Sequence, residues 1–275
     1  AVSELSALLG EENEELREVA VVALGRIGTV AAADALSDFA DKAPEGLRNV
    51  VVDAELHAAE SLCRRGEYQA AVGLCESLLS ADSERVRAAA FRGLISAKPS
   101  ESLAMILAGL AAEEAWKRAV AADCVVEFDK PEEIKTIASA APELPVPGKI
   151  AALVSLKDRG DPAVREAALA SLDQPHTEVR TTALAALIAS GTAEDVSTLA
   201  DLASTAEDLQ VRAAGVVPPD GRVSSRARRG HQAPRQVAAP DSLVSPFSDV
   251  GPWASRRPLH APQAALDRAQ RTPAR

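Results

Sequence analysis

The sequence has no run of eighteen consecutive apolar residues, which excludes a membrane-spanning helix by sequence. No basic-then-apolar signal segment follows Ala1. There are three cysteines, Cys63, Cys75 and Cys124, and no Cys-x-x-Cys, so neither a disulfide framework nor a zinc ribbon is available. Only four histidines occur, with no His-Glu-x-x-His. Aromatic residues make up 3% of the 275 residues. No segment alternates apolar and polar residues as a half-buried strand would. Hydrophobic residues form 47% of the chain, and alanine alone is about 21%, far above ordinary usage.

Charge divides the chain near residue 215. Residues 1–215 carry 20 Lys+Arg against 36 Asp+Glu, a net of −16. Residues 216–275 carry 10 Arg, no Lys, 4 Asp and no Glu, a net of +6, and 9 of the 17 prolines. A Pro/Arg-rich stretch with few aliphatic clusters cannot bury enough surface to offset its ordering entropy. The expected domains are therefore a folded body over 1–214 and a disordered tail over 215–275.

The body repeats. A Leu-x-x-x-Gly step occurs at Leu24/Gly28, Leu62/Gly66, Leu156/Gly160 and Leu187/Gly191. Two more copies replace glycine by Lys-Pro: Leu94 with Lys98-Pro99, and Val126 with Lys130-Pro131. A period near 31 residues marks stacked helical hairpins. Four residues before each anchor stands an alanine: Ala20, Ala58, Ala90, Ala122, Ala152 and Ala183. An i, i+4 pair shares one helix face, and a small residue there lets a neighbouring helix approach. The glycines suit left-handed helix caps. In the Lys-Pro copies, lysine suits the negative helix end and proline opens the next helix. Twelve residues past the anchors, Leu36, Leu74, Ile106 and Leu199 mark the second helices. The hairpins are expected over 13–42, 46–80, 83–112, 114–142, 147–173 and 177–204, with residues 2–9 as the second helix of a truncated copy. The fold class that follows is all-α, a right-handed α-solenoid of about six hairpins.

Asp161-Pro162-Ala163-Val164-Arg165 and Asp208-Leu209-Gln210-Val211-Arg212 share the form Asp-x-x-Val-Arg, echoed by Val86-Arg87, Val179-Arg180 and Leu16-Arg17. With the alanine and Leu-x-x-x-Gly that follow, residues 1–214 resemble HEAT repeats of the phycobilisome-lyase-like subclass. Two copies depart from the pattern: Glu55 stands where others have arginine, and Arg118 lies one place early. The resemblance implies a protein–protein interaction scaffold without catalysis of its own. The alternatives it implies are a bilin-lyase-type subunit and a nucleic-acid repair module.

The residues themselves name no catalytic, cofactor-binding or metal-binding group. His57, in Glu55-Leu56-His57-Ala58-Ala59-Glu60, reads as a surface histidine, and no His-Glu dipeptide of the HEAT-built hydroxylases occurs. The cysteines sit at apolar helix positions and read as small buried hydrophobes. The arginine row reads as a structural ladder bonding acidic groups or helix ends of the adjacent copy, and a net of −16 would repel nucleic acid. Glu11, Glu12, Glu14, Glu15 and Glu18 read as a solvated first helical turn, with a contact for a basic partner as their functional reading. The expected partner is another protein with a basic surface, with no nucleic acid and no membrane, and a cytoplasmic setting is favoured.

Arg212 opens a seventh copy whose alanine, anchor and glycine should fall at 215, 219 and 223. Gly215, Pro219 and Val223 stand there instead, and Pro218-Pro219 would break the helix. The tail is therefore expected not to be a natural continuation, with a reading-frame shift in a GC-rich gene as cause. The alternative is a genuine tail that binds an acidic surface. Without a seventh copy, Leu184, Val196 and Leu199 are expected to lie uncovered.

Overall fold

A computed structural model describes residues 1–205, and among them every regular element is helical. The thirteen α-helices of that stretch are α1 (Val2–Leu8), α2 (Glu14–Ile27), α3 (Val30–Ala40), α4 (Arg48–Arg65), α5 (Tyr68–Leu78), α6 (Glu84–Ala97), α7 (Ser102–Ala111), α8 (Ala115–Val125), α9 (Pro131–Ala140), α10 (Val146–Leu156), α11 (Pro162–Ser171), α12 (Thr177–Ser190) and α13 (Asp195–Thr205). Paired in order from α2, they form six hairpins on the boundaries expected from the repeat, and α1 occupies the place of the truncated copy's second helix. Within each unit, helices pack on near neighbours in the chain, α2 on α4 and α4 on α6 in one, α8 on α10 and α10 on α12 in the other. The fold is all-α, of stacked hairpins. The expected tail and the seventh copy fall outside the described residues.

The chain forms two compact units. The described part of the first is Ala1–Met105, and that of the second is 106–205.

Local sequence accounts for the helix limits. Asn13 accepts hydrogen bonds from the backbone N–H groups of Glu15 and Leu16 and starts α2. Thr29 and Asp161 do the same for α3 and α11. Gly28 ends α2 at φ 51°, ψ 44°, its N–H donating to the Leu24 carbonyl, and Gly66 ends α4 in the same left-handed region. Pro131 opens α9 as its first residue. Gly191 departs from the expected cap. Its backbone is extended, at φ −71° and ψ 162°, and Asp195 instead organises that turn by accepting from the Thr192 N–H at 2.7 Å.

The repeat pattern marks the core. Leu24, Leu62, Leu94, Leu156 and Leu187 are buried, as are the alanines four residues before them. The fourth copy corrects the sequence reading. Val126 is 59% exposed, whereas Val125 and Ala121 are fully buried. Its anchor is Val125 and its alanine Ala121, not Val126 and Ala122. With that shift the last four anchors fall 31 residues apart. The residue twelve further on becomes Ile137, which is fully buried like Leu36, Ile106 and Ala168.

Small residues let first helices meet. A methyl group at Gly25 of α2 would stand 2.8 Å from the Cα of Ala54 of α4, and one at Gly28 would collide with Ser61. The two contacts rise together along both helices, so α2 and α4 run parallel. Leu184 and Leu199, expected to be uncovered, are buried, and Val196 is exposed.

Candidate protein-docking surface

The arginine row is resolved by helix position. Arg17, Arg87, Arg118, Arg165 and Arg180 are each the fourth residue of a helix. Arg87 donates to the carbonyls of Ala81 and Asp82, both at 2.7 Å. Arg118 donates in the same way to Ala112 and Glu113, at 2.8 and 2.6 Å. Each guanidinium closes the loop that leads into its own helix. Arg118 is thus in register, and the displaced feature of that copy was its anchor. Arg87 and Arg118 thus bond carbonyls between their own helix and the preceding copy, a narrower role than the expected ladder. Arg165 reaches an acidic group of the next copy, as the ladder expected, with a bidentate pair to Asp195 at 2.7 and 2.6 Å. That guanidinium, and then the Thr192 N–H, hold the Asp195 carboxyl below its usual range.

A second arginine set escaped the sequence reading. Arg65 and Arg159 each lie three residues past an anchor. Arg65 donates to the Ile27 carbonyl at 3.2 Å. Arg159 donates to the carbonyls of Val125 at 2.9 Å, Val126 at 2.6 Å and Phe128. Both cap the first helix of the preceding copy, where unpaired carbonyls concentrate negative charge. Their identical offset from Leu62 and Leu156 was the available signal.

The histidine and cysteines singled out in the sequence are placed as follows. His57 Nδ1 lies 2.7 Å from the Asp53 carbonyl oxygen on an exposed face. Among the described residues no three His, Cys, Asp or Glu side chains cluster as a metal site. Burial pushes the thiols of Cys63 and Cys75 up to about 12, so neither supplies a thiolate nucleophile near neutral pH. Cys124 is buried. No helix of the described residues is long and apolar enough to cross a membrane.

What remains open is one edge of α2. Leu16 is 45% and Val19 63% exposed, and Glu11, Glu12, Glu15 and Glu18 around them are exposed as well. Glu14 leaves the group and leans over the loop before α4, its Oε1 2.6 Å from where a methyl at Gly46 would stand. The helical wheel puts Leu16, Val19 and Ala23 on the edge opposite Gly25, and therefore opposite α4. The sequence showed the carboxylates but not that Leu16 and Val19 stand bare among them. Leu16, eight residues before its anchor, corresponds to Ala54, and that large-for-small exchange was the visible sign.

No family model matches the chain, and no curated protein matches it. Among solved structures, the chain is similar to the crystal structure of an engineered protein from the Northeast Structural Genomics Consortium. The identity is 18%, the match covers 78% of this chain and 93% of that one, and the TM-score is 0.28. A likeness at that level decides nothing about this chain.

Proposed function

We propose that this chain is a HEAT-like repeat module that docks another protein and performs no chemistry of its own. The carrying observation is the edge of α2, where Leu16 and Val19 lie exposed among Glu11, Glu12, Glu15 and Glu18. Apolar side chains supply contact area, and like charges around them select a partner of opposite sign. The partner is a protein with a basic surface. The net of −16 over residues 1–215 speeds encounter with such a surface and loses that effect as salt screens it.

Panning a displayed library of random 20-residue peptides against the chain tests this. Enriched peptides carry net positive charge, associate more slowly at higher ionic strength, and weaken when Glu11, Glu12, Glu15 and Glu18 are replaced by Gln. No enrichment, or neutral binders indifferent to those replacements, would overturn the reading.

A further inference from the structure

The loop over 41–47, which leads into α4, sets the second copy apart. α4 has 18 residues where α2 and α6 have 14, and its extra turn lies at its start. Glu55 is therefore the eighth residue of its helix, whereas Arg17 and Arg87 are the fourth of theirs. It stands at an arginine position and brings the opposite charge to it. Only 4% of Glu55 is exposed, and Val51, one turn earlier on the same face, is buried too. Among the described residues its carboxyl has no hydrogen bond and no ion pair. Asp41 is the charge that acts on it, which places the carboxyl toward the loop. That loop is ringed by carboxylates. Asp41 and Glu45 are exposed in it, and Glu14 of α2 leans over it at Gly46. Its own cations, Lys42 and Arg48, are exposed and form no ion pair among the described residues. Of the charges on helices packed against α4, Arg17 points its donor at the Glu12 carbonyl, Arg85 pairs with Asp53, Arg87 closes the loop before α6, and Glu76 pairs with Lys98. Asp34 and Asp38 of α3 are exposed.

Resting on the docking function proposed above, we infer that the partner's basic surface places one lysine or arginine side chain at the loop over 41–47, against Asp41 and Glu55. A buried carboxylate without a cation is costly, and the ring of exposed carboxylates draws a cation to that place. Among the described residues no three His, Cys, Asp or Glu side chains converge as a metal ion needs. An ammonium or guanidinium group needs only one or two carboxylates. Glu14 links the loop to the glutamates at the start of α2, so one basic surface spans both. The inserted cation takes the part that Arg87 plays before α6. It binds the ionised form of Glu55, and below the folded value of about 7 binding must first remove a proton. Affinity therefore rises with pH up to about 7 and is level above it.

The test uses the full chain with carbon-13 in its glutamate carboxyls, read by NMR, the Glu55 signal being the one lost in Glu55→Gln. In the chain alone that carboxyl should titrate near 7. Acetyl-arginine amide should move the titration down by about one pH unit or more. Its uncharged isostere acetyl-citrulline amide, and potassium chloride at equal ionic strength, should leave it in place. A histidine-free basic peptide enriched by the panning described above should bind the parent about tenfold or more tightly at pH 7.5 than at pH 5.5, with no such rise for Glu55→Gln. Asp41→Asn, at an exposed position, should weaken that peptide about threefold or more while the far-UV circular dichroism stays unchanged. A Glu55 carboxyl that titrates below 5 in the chain alone overturns the inference in favour of a cation of this same chain. One moved by calcium or magnesium chloride and not by acetyl-arginine amide overturns it in favour of a metal ion. Enriched peptides with the same pH profile on the parent and on Glu55→Gln leave the docking function standing and remove this site. No enriched peptide removes both.

Discussion

Glu55 is the residue whose titration should control the first unit. It stands seven residues before Leu62, where four other first helices have an arginine. Its side chain is 4% exposed, and among the described residues no hydrogen bond to its carboxyl is found. Burial, and then the charge of Asp41, push its pKa up from the usual 4.5 to about 7. The folded state therefore favours the protonated acid. The stability this contributes is fully present below the unfolded value of 4.5. It is lost as pH rises and is gone once pH has passed the folded value of about 7. That span corresponds to about 3 kcal/mol, a large share of a typical folding free energy.

Urea unfolding followed at 222 nm, from pH 4 to 8, in the parent and in Glu55→Gln, measures this. Glutamine is isosteric and cannot ionise. Its buried amide has its own cost, about 1–3 kcal/mol, but that cost does not change with pH. The readout is therefore the slope of the difference, not its level. The variant should gain on the parent by about 3 kcal/mol between pH 4.5 and 7, and the gap should then stay constant. Parallel stability curves across that window would refute the reasoning and show the carboxylate to be solvated or paired.

The shifted register of the fourth copy separates two neighbouring alanines. Ala90→Leu and Ala121→Leu should each cost roughly 1–3 kcal/mol by overpacking, while Ala122→Leu, at a half-buried position, should melt within a few degrees of the parent. Arg118→Ala frees the carbonyls of Ala112 and Glu113 to water and should cost about 1 kcal/mol, with amide exchange rising first in that loop. Asp195, with its depressed carboxyl, acts in the opposite sense to Glu55. Its stabilisation is present above the unfolded carboxylate range and is lost as pH falls through the lower folded value, so Asp195→Asn should flatten the acid limb of the second unit's stability curve. Cys63 and Cys75 should resist a thiol reagent at pH 8 until the chain unfolds, and rapid labelling of the folded protein would contradict the raised thiol values.

Much of the fold was legible because one physical constraint is repeated six times. A buried leucine (valine in the fourth copy), a small residue one turn earlier and a helix stop about one turn later are enough to place a hairpin, since hairpins in such a stack meet in the same way each time. The fourth copy misled for a specific reason. Lys98 and Lys130 look equivalent, each followed by proline. Lys98, however, is the residue that ends α6, its N–H donating to the Leu94 carbonyl, whereas Lys130 is the residue that precedes α9. The first belongs to a helix stop and the second to a helix start, so aligning them moved the anchor by one residue. Aligning on the arginine would have avoided this, because the distance from a helix start to its loop carbonyls is fixed by helix geometry, whereas the length of the turn after it is free to vary.

The open edge of α2 was only half legible for a related reason. Charge can be counted in a sequence, and the glutamates of the first turn of α2 stand out at once. Exposure of an apolar residue cannot be counted, because Leu16 and Val19 fit the helical periodicity as well as any core residue does. Burial in a stack is decided by the neighbouring hairpin, and the same position is covered in α4 and α6 yet open in α2. Ala54 is small because a helix presses on it. Among the described residues no helix presses on Leu16, which is 45% exposed. The carboxylates around it would help keep the edge soluble between encounters and repel other acidic surfaces, its own copies included. Under the docking function proposed above, the apolar strip and the acidic rim would act as one device, the strip supplying attraction and the rim selecting what uses it.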